Sequence, residues 1–151
     1  MANVHYHVTH TATVSAPATR VYDILADYRS GHPRILPPPF RNFVVEAGGR
    51  GAGTLTRFDV RAFGRTQSFR HEVLEPDPGH ILVERDRDLG SRTTFTITPS
   101  GNQAVVTIHS ELTSRAGVAG RIERFVSTRF LRRVYAQELQ KLNDVAQEAA
   151  G

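Results

Sequence analysis

From Val4 to Val14 the chain alternates, with Tyr6, Val8, Ala12 and Val14 on one side and His5, His7, Thr9, Thr11 and Thr13 on the other. A period of two is the mark of a half-buried strand. The period changes after Ser15, whose hydroxyl is placed to cap a helix, and Pro17 falls in the first turn, where its missing N–H costs nothing. Val21, Ile24, Leu25 and Tyr28 then recur at helical spacing and form one apolar stripe on a short helix. The stretch from Ser30 to Phe40 carries Pro33, Pro37, Pro38 and Pro39 and so cannot be a long regular element. It reads as an irregular, semi-rigid connection presenting Ile35, Leu36 and Phe40.

Strand patterns follow at about Asn42 to Ala47, Gly53 to Phe63, Arg65 to Leu74, His80 to Asp86, Arg92 to Thr98 and Gln103 to Ser114. The breaks between them are short and rich in Gly, Pro, Asn and Asp, so neighbouring runs are expected to pair antiparallel. From about Val118 to Ala149 the residues Val118, Ile122, Phe125, Val126, Leu131, Val134, Leu139, Leu142 and Val145 recur every three or four positions. That spacing predicts one amphipathic helix of about 30 residues, about 45 Å long. A helix of that length needs a wide apolar surface, which a twisted antiparallel sheet of about seven strands supplies on its concave side.

The order strand, short helix pair, six strands, long helix resembles the START-like (SRPBCC) superfamily, with its polyketide cyclase/dehydratase and lipid-transport relatives. The run Val14-Ser15-Ala16-Pro17-Ala18-Thr19-Arg20-Val21-Tyr22-Asp23-Ile24-Leu25-Ala26-Asp27-Tyr28 is similar to the N-terminal signature of that family, and Gly64 and Glu72-Val73-Leu74-Glu75-Pro76 to its mid-sheet pattern. The usual tryptophan after the first helix is replaced by the neighbourhood of His32-Pro33. The resemblance spans almost the whole chain. It implies an α+β helix-grip fold, one unit over residues 1–151, in which a curved antiparallel sheet wraps a long C-terminal helix and a ligand lies between them.

Composition narrows the chemistry. With 151 residues the chain suits one core with room for a cavity. It has no cysteine, which excludes disulfides, thiolate catalysis and cysteine zinc sites. No stretch approaches the roughly 18 apolar residues of a membrane span, and no charged start precedes an apolar run, so a cytoplasmic location is expected. The net charge of +4 raises the question of nucleic acid. Of 19 basic residues only Lys141 is a lysine, and the arginines are scattered among acids, as in Arg85-Asp86-Arg87-Asp88. A phosphate-binding face needs clustering, so no nucleic-acid partner is expected.

If the more apolar side of each strand faces inward, the first strand contributes Tyr6, Val8 and His10 to the lining. The middle strands contribute Thr54, Thr56, Phe58 and Val60, then Phe69, His71 and Val73, then Ile81, Val83 and Arg85. The last strands add Phe95 and Ile97, then Val106, Ile108, Ser110 and Leu112, and the long helix adds Phe125. Thirteen of these form the expected ligand contacts: Tyr6, His10, Thr56, Phe58, Val60 and Phe69 in the first half of the chain, His71 at its middle, and Val83, Arg85, Phe95, Ile108, Ser110 and Phe125 beyond it. Tyr6, His10, His71 and Arg85 form the polar subset. His71 is the candidate general base and Arg85 the candidate holder of a carboxylate, phosphate or enolate oxygen. The plainer alternative is that these groups satisfy one another or face solvent.

Other features carry less. His5 and His7 share a strand face as a pair of imidazoles, but no carboxylate stands near in sequence and the face is expected to be wet, so no metal is assigned. No cofactor is expected either. Gly48-Gly49-Arg50-Gly51-Ala52-Gly53 lacks the spacing of a phosphate loop and precedes a strand rather than a helix, so it reads as a flexible connection. Pro33 to Phe40 suits either a lid over the cavity or a rigid loop packed on the long helix. Arg121, Arg124, Arg129, Arg132 and Arg133 make the first half of that helix basic. A solvated face is the main reading, and contact with an acidic partner or membrane surface the minor one. The leading functional expectation is a monomer or homodimer that binds a small hydrophobic lipid-, polyketide- or isoprenoid-like molecule. The alternatives are a polyketide cyclase or aromatase, and an interaction module with a vestigial cavity.

Overall fold

The computed structural model describes residues 3–148. The elements run β1 (Val4–Val14), α1 (Ala18–Ala26), a 3-10 helix (His32–Ile35), β2 (Phe40–Ala47), β3 (Leu55–Ala62), β4 (Arg65–Asp77), β5 (Ile81–Asp86), β6 (Arg92–Ser100), β7 (Gln103–Ser114) and α2 (Gly117–Ala146). The strands form one seven-stranded antiparallel sheet in the order β1-β7-β6-β5-β4-β3-β2. This is the helix-grip arrangement, in which β1 leaves the meander to close on β7 with Val4 opposite Ser114 and Val14 opposite Ala104.

Local details differ from the sequence expectations. Ser15 does not cap α1: Pro17 holds the N-cap position without a side-chain hydrogen bond. The Ser15 backbone N–H donates instead to Asn143 Oδ1 at 2.8 Å, tying the end of β1 to α2. The second member of the short helix pair is a single 3-10 turn, because Pro33 lies within it and three more prolines follow. The glycine loop after β2 is not free: its Gly49 carbonyl accepts from the Tyr28 N–H, the Gly51 N–H donates to the Ala26 carbonyl, and the Ala52 N–H donates to Glu75 Oε1. A Cβ at Gly51, where φ is +60°, would collide with the Glu75 carboxylate, so glycine is what lets the loop close under α1. The helix predicted to Ala149 ends at Ala146, and Ala149 lies outside the described residues.

The space inside the grip is divided. At one end Val8, Val14, Ile97, Ala104, Val106 and Ile108 of the sheet pack with Val21, Ile24 and Leu25 of α1 and with Leu139, Leu142 and Val145 of α2. All of these are buried, which makes that end a solid core. At the other end the sheet curves away beneath the first half of α2. There the helix covers it only with Ser127, Phe130 and Leu131, while Val118, Ile122 and Phe125 face outward and are exposed.

Candidate functional site

Beneath the first half of α2 lies a cavity of about 870 Å³. Its oily wall is a cluster centred on Phe58 of β3, whose ring centroid is 5.4 Å from Phe40, 6.3 Å from Phe43 and 5.6 Å from Phe69. Alternation on β3 and β4 and a bulge in β2, between Arg41 and Val44 with Asn42 at φ 56°, bring these rings to one face, so three neighbouring strands supply one aromatic surface. Leu36 and Phe40, from the proline-rich connection, also line the cavity. Phe63, in the tight turn between β3 and β4, and Leu89, between β5 and β6, line it while being 69% and 54% exposed, so they mark its mouth.

The opposite end of the cavity is polar. His71 of β4 stands edge-on to Phe58, at a centroid distance of 4.9 Å. Its Nδ1 is 3.5 Å from Glu84 Oε2 and its Nε2 is 3.6 Å from Asp86 Oδ2, so one imidazole is set between two carboxylates. Both approaches are too long to be formed hydrogen bonds, and His71 Nδ1 and Asp86 Oδ2 are buried without a partner among the described residues. Asp86 Oδ1 accepts the backbone N–H groups of Asp88 and Leu89, which fixes the carboxylate and the turn after β5 together.

Glu84 is the hub. The Tyr28 hydroxyl donates to its Oε1 at 2.9 Å, and His32 Nε2 lies 3.4 Å from the same oxygen. His32 is itself clamped: its Nδ1 donates to the Leu25 carbonyl at 2.7 Å, and its ring stacks on Tyr28 and meets Phe95 edge-on. Burial works against a charge on Glu84, but His71, His32 and the Tyr28 hydroxyl outweigh it and hold the carboxyl below its ordinary range. Tyr28, in turn, is pushed well up, first by burial and then by the Glu84 charge.

On the helix side Tyr135 and Glu138, three residues apart on α2, face the same space. The Tyr135 hydroxyl is hydrogen-bonded to Ser110 Oγ, and Ser110 is bonded to Thr93 Oγ1 at 2.7 Å, so three hydroxyls form a row across β6, β7 and α2. Burial is the main reason Tyr135 is raised. Glu138 is raised well above the carboxylate range, first by burial and then by the negative charge of Glu84. The two walls of the cavity thus push their carboxyls in opposite directions, Glu84 toward the charged form and Glu138 toward the neutral one.

Of the residues expected from sequence to touch a ligand, Tyr6, Thr56, Phe58 and Val60 line this cavity, as do Phe69, His71, Phe95 and Ser110. Five do not, each for a physical reason. Arg85 lies on the other face of β5, opposite Glu72 in register, and its guanidinium pairs with that carboxylate at 3.3 Å in partial solvent exposure. Val83 shares that outer face and is buried there. His10 and Ile108, opposite each other in register, sit on the concave face but toward the packed end, away from the cavity. Phe125 is 64% exposed, its ring beneath the Arg129 guanidinium, and Phe130 and Leu131 take the place assigned to it. His7 stacks on His109 on the outside of the sheet. Among the described residues no group of three or more His, Asp or Glu side chains is placed to hold a metal ion.

Sequence reasoning passed over His32, Glu84, Thr93, Tyr135 and Glu138. On β5 the rule that apolar residues point inward favoured Ile81 and Val83 over Glu84 and Asp86, and the site inverts that rule. For Glu138 a signal exists: it stands four residues after Val134 and three after Tyr135, in step with Leu131, Leu142 and Val145, as an acid inside the buried stripe of α2.

Comparison with known proteins gives the same frame. The family described as "Polyketide cyclase / dehydrase and lipid transport" matches residues 5–147. The fold is similar to that of the KanY protein solved by NMR, at 23% identity and a TM-score of 0.86, covering 96% of this chain and 99% of that one. It is also similar to the ZhuI aromatase/cyclase from Streptomyces sp. R1128, at 21% identity and a TM-score of 0.75 over 98% of this chain and 99% of that one. A START superfamily protein from Mycobacterium smegmatis aligns at 17% identity and a TM-score of 0.74, over 94% and 99% of the two chains. No curated protein sequence matches the chain. The match from residue 5 to residue 147, on a seven-stranded sheet closed over a long C-terminal helix, makes this chain a member of the polyketide cyclase/dehydrase and lipid transport family.

Proposed function

We propose that the chain binds one small hydrophobic molecule of lipid, polyketide or isoprenoid type in the cavity under α2. The body of the ligand lies on the Phe58 cluster and its polar end meets His71, Glu84 and the hydroxyl row. The observation that carries this reading is the cavity itself, at about 870 Å³ with one aromatic wall and one polar end. Ligand sites fall at roughly 300–1,000 Å³ and combine an apolar lining with a few placed polar groups, whereas an interaction module with a vestigial cavity needs no such volume. Fluorescence titration with N-phenyl-1-naphthylamine tests it: the wild-type protein binds the probe with one site, and Val60→Trp, which fills the cavity, reduces affinity by at least about tenfold. Equal affinity in both proteins overturns the assignment.

A second reading, as a cyclase or aromatase, is favoured by one observation, the unpartnered and buried Nδ1 of His71. An imidazole beside the carboxylates of Glu84 and Asp86 is a group of the type that removes a proton next to a carbonyl. The carbonyl oxygen, as it gains charge, would face the hydroxyls of Tyr135 and Ser110. Exchange of the acetyl protons of 2-acetylnaphthalene for deuterium, followed by NMR, tests this chemistry. Acceleration by the protein that is lost in His71→Ala supports it, and a rate equal to that of buffer removes it.

A further inference from the structure

The polar end of the cavity is asymmetric. Glu84 already has its charge covered from behind by the Tyr28 hydroxyl and flanked by His32 and His71, so it offers a ligand little unmet acceptor capacity. Asp86 is bound to the turn through Oδ1 and stands behind His71, with a side chain that is almost wholly inaccessible. Glu138 differs from both. It is 4% exposed, lines the cavity, and no side-chain hydrogen bond among the described residues engages its carboxyl. The ionisable groups near it are Glu84 from β5, Tyr28 after α1 and Tyr135 from its own helix. No arginine or lysine is among them; Arg65, which also lines the cavity, is exposed on the strand leading from the turn at the mouth.

A carboxyl in such a place can remain buried in only one useful form. Ionised, it would set an unpaired negative charge beside that of Glu84 in a low-dielectric space. Neutral, it keeps one O–H with no protein acceptor, and a buried donor without a partner is costly unless a ligand or water supplies one. The geometry points to Glu138 as the group that donates its carboxylic O–H to a carbonyl oxygen of a neutral ligand, making it the residue that selects ketones over amines and carboxylates. This inference rests on the reading of the cavity as a ligand site and adds the head group that the site accepts. An ammonium would find Glu84 already engaged by Tyr28, His32 and His71, and a carboxylate would meet the negative charge of Glu84.

Four naphthalene probes of nearly one shape test the proposal by isothermal titration calorimetry on the full chain: 2-acetylnaphthalene, 2-ethylnaphthalene, 2-naphthoate and 2-(aminomethyl)naphthalene. The ketone is expected to bind about tenfold tighter than the ethyl compound, the size of one buried hydrogen bond, and tighter than the acid and the amine. Glu138→Gln keeps a donor and retains most of that preference. Glu138→Leu removes the donor and brings the ketone-to-ethyl ratio within about threefold, with ethylnaphthalene affinity kept as proof that the cavity persists. In the wild-type complex the carbonyl stretch of the bound ketone moves to lower frequency relative to Glu138→Leu. A wild-type ratio within about threefold, a ratio that survives in Glu138→Leu, or an amine or naphthoate that outbinds the ketone overturns the proposal while leaving the cavity reading intact. Failure of every probe to bind removes the cavity reading and this proposal with it.

Discussion

Glu84 and Glu138 face one cavity from opposite walls, and their protonation equilibria are driven apart: His71, His32 and Tyr28 pull the strand carboxyl below its ordinary range against burial, and burial and Glu84 itself push the helix carboxyl up. Separation of two like groups by environment is how a single cavity comes to hold both a negative charge and an acidic donor.

The pair sets opposite pH dependences. Glu84 has a folded pKa below its unfolded value of about 4.3, so its contribution to stability is present above that value and is lost as pH falls through the folded pKa. Glu138 has a folded pKa above the unfolded value, so its contribution is present below about 4.3 and is lost as pH rises toward the folded pKa. Glu138→Gln removes the second dependence alone. Its melting temperature is expected to exceed that of wild type at neutral pH by about 2–4 °C, equivalent to about 1 kcal/mol for a chain of this size, and the gap closes toward pH 4. A gap of constant size across that range contradicts the assignment of Glu138 as a buried neutral acid.

His71 and Arg85 should separate cleanly in mutation. His71→Ala leaves Glu84 and Asp86 without their intervening imidazole and is expected to lower stability by about 1–3 kcal/mol and to weaken binding of N-phenyl-1-naphthylamine or 2-acetylnaphthalene. Arg85→Ala removes only a half-exposed pair with Glu72 and is expected to change stability by no more than about 0.5 kcal/mol, with probe affinity unchanged. Thermal melts and titrations of the two variants decide it; a loss of affinity in Arg85→Ala would place that residue back at the cavity.

Phe63 holds a left-handed backbone conformation, with φ of 54°, in a two-residue turn before Gly64, where Asn is the residue the turn favours. Its exposed ring leans on Phe130 at 5.6 Å across the mouth. Phe63→Asn is expected to raise stability by about 1 kcal/mol through relief of that conformation, and to speed probe dissociation by opening the mouth. Melting curves and stopped-flow release of N-phenyl-1-naphthylamine measure both effects. A destabilised variant with unchanged release would show that the ring serves packing alone.

The architecture was legible because alternation and helical spacing are strong in this chain: β1 and β7 run over the residues their patterns indicate, and α2 starts within one residue of its expected place. The site was legible only where its strands bury apolar side chains on the cavity side, as with Phe58, Phe69 and Phe95. On β5 both faces are apolar enough to be buried, with Leu82 inside and Val83 outside, so counting apolar residues could not choose between Glu84 and Arg85. The choice is made by pairing, which sets Glu72 opposite Arg85 on one face and His71 opposite Asp86 on the other. Phe125 misled for a related reason: the stripe of Val118, Ile122 and Phe125 is continuous in sequence but turns outward where α2 spans the cavity rather than the core.

An isotope-filtered NMR measurement of contacts between 2-acetylnaphthalene and the labelled protein locates the ligand directly. Contacts are expected from the naphthalene ring to Phe58, Val60 and Leu112, and from the acetyl methyl group to Tyr135. Contacts confined to Val118, Ile122 and Phe125 on the exposed face of α2, or none at all, would contradict binding in the cavity.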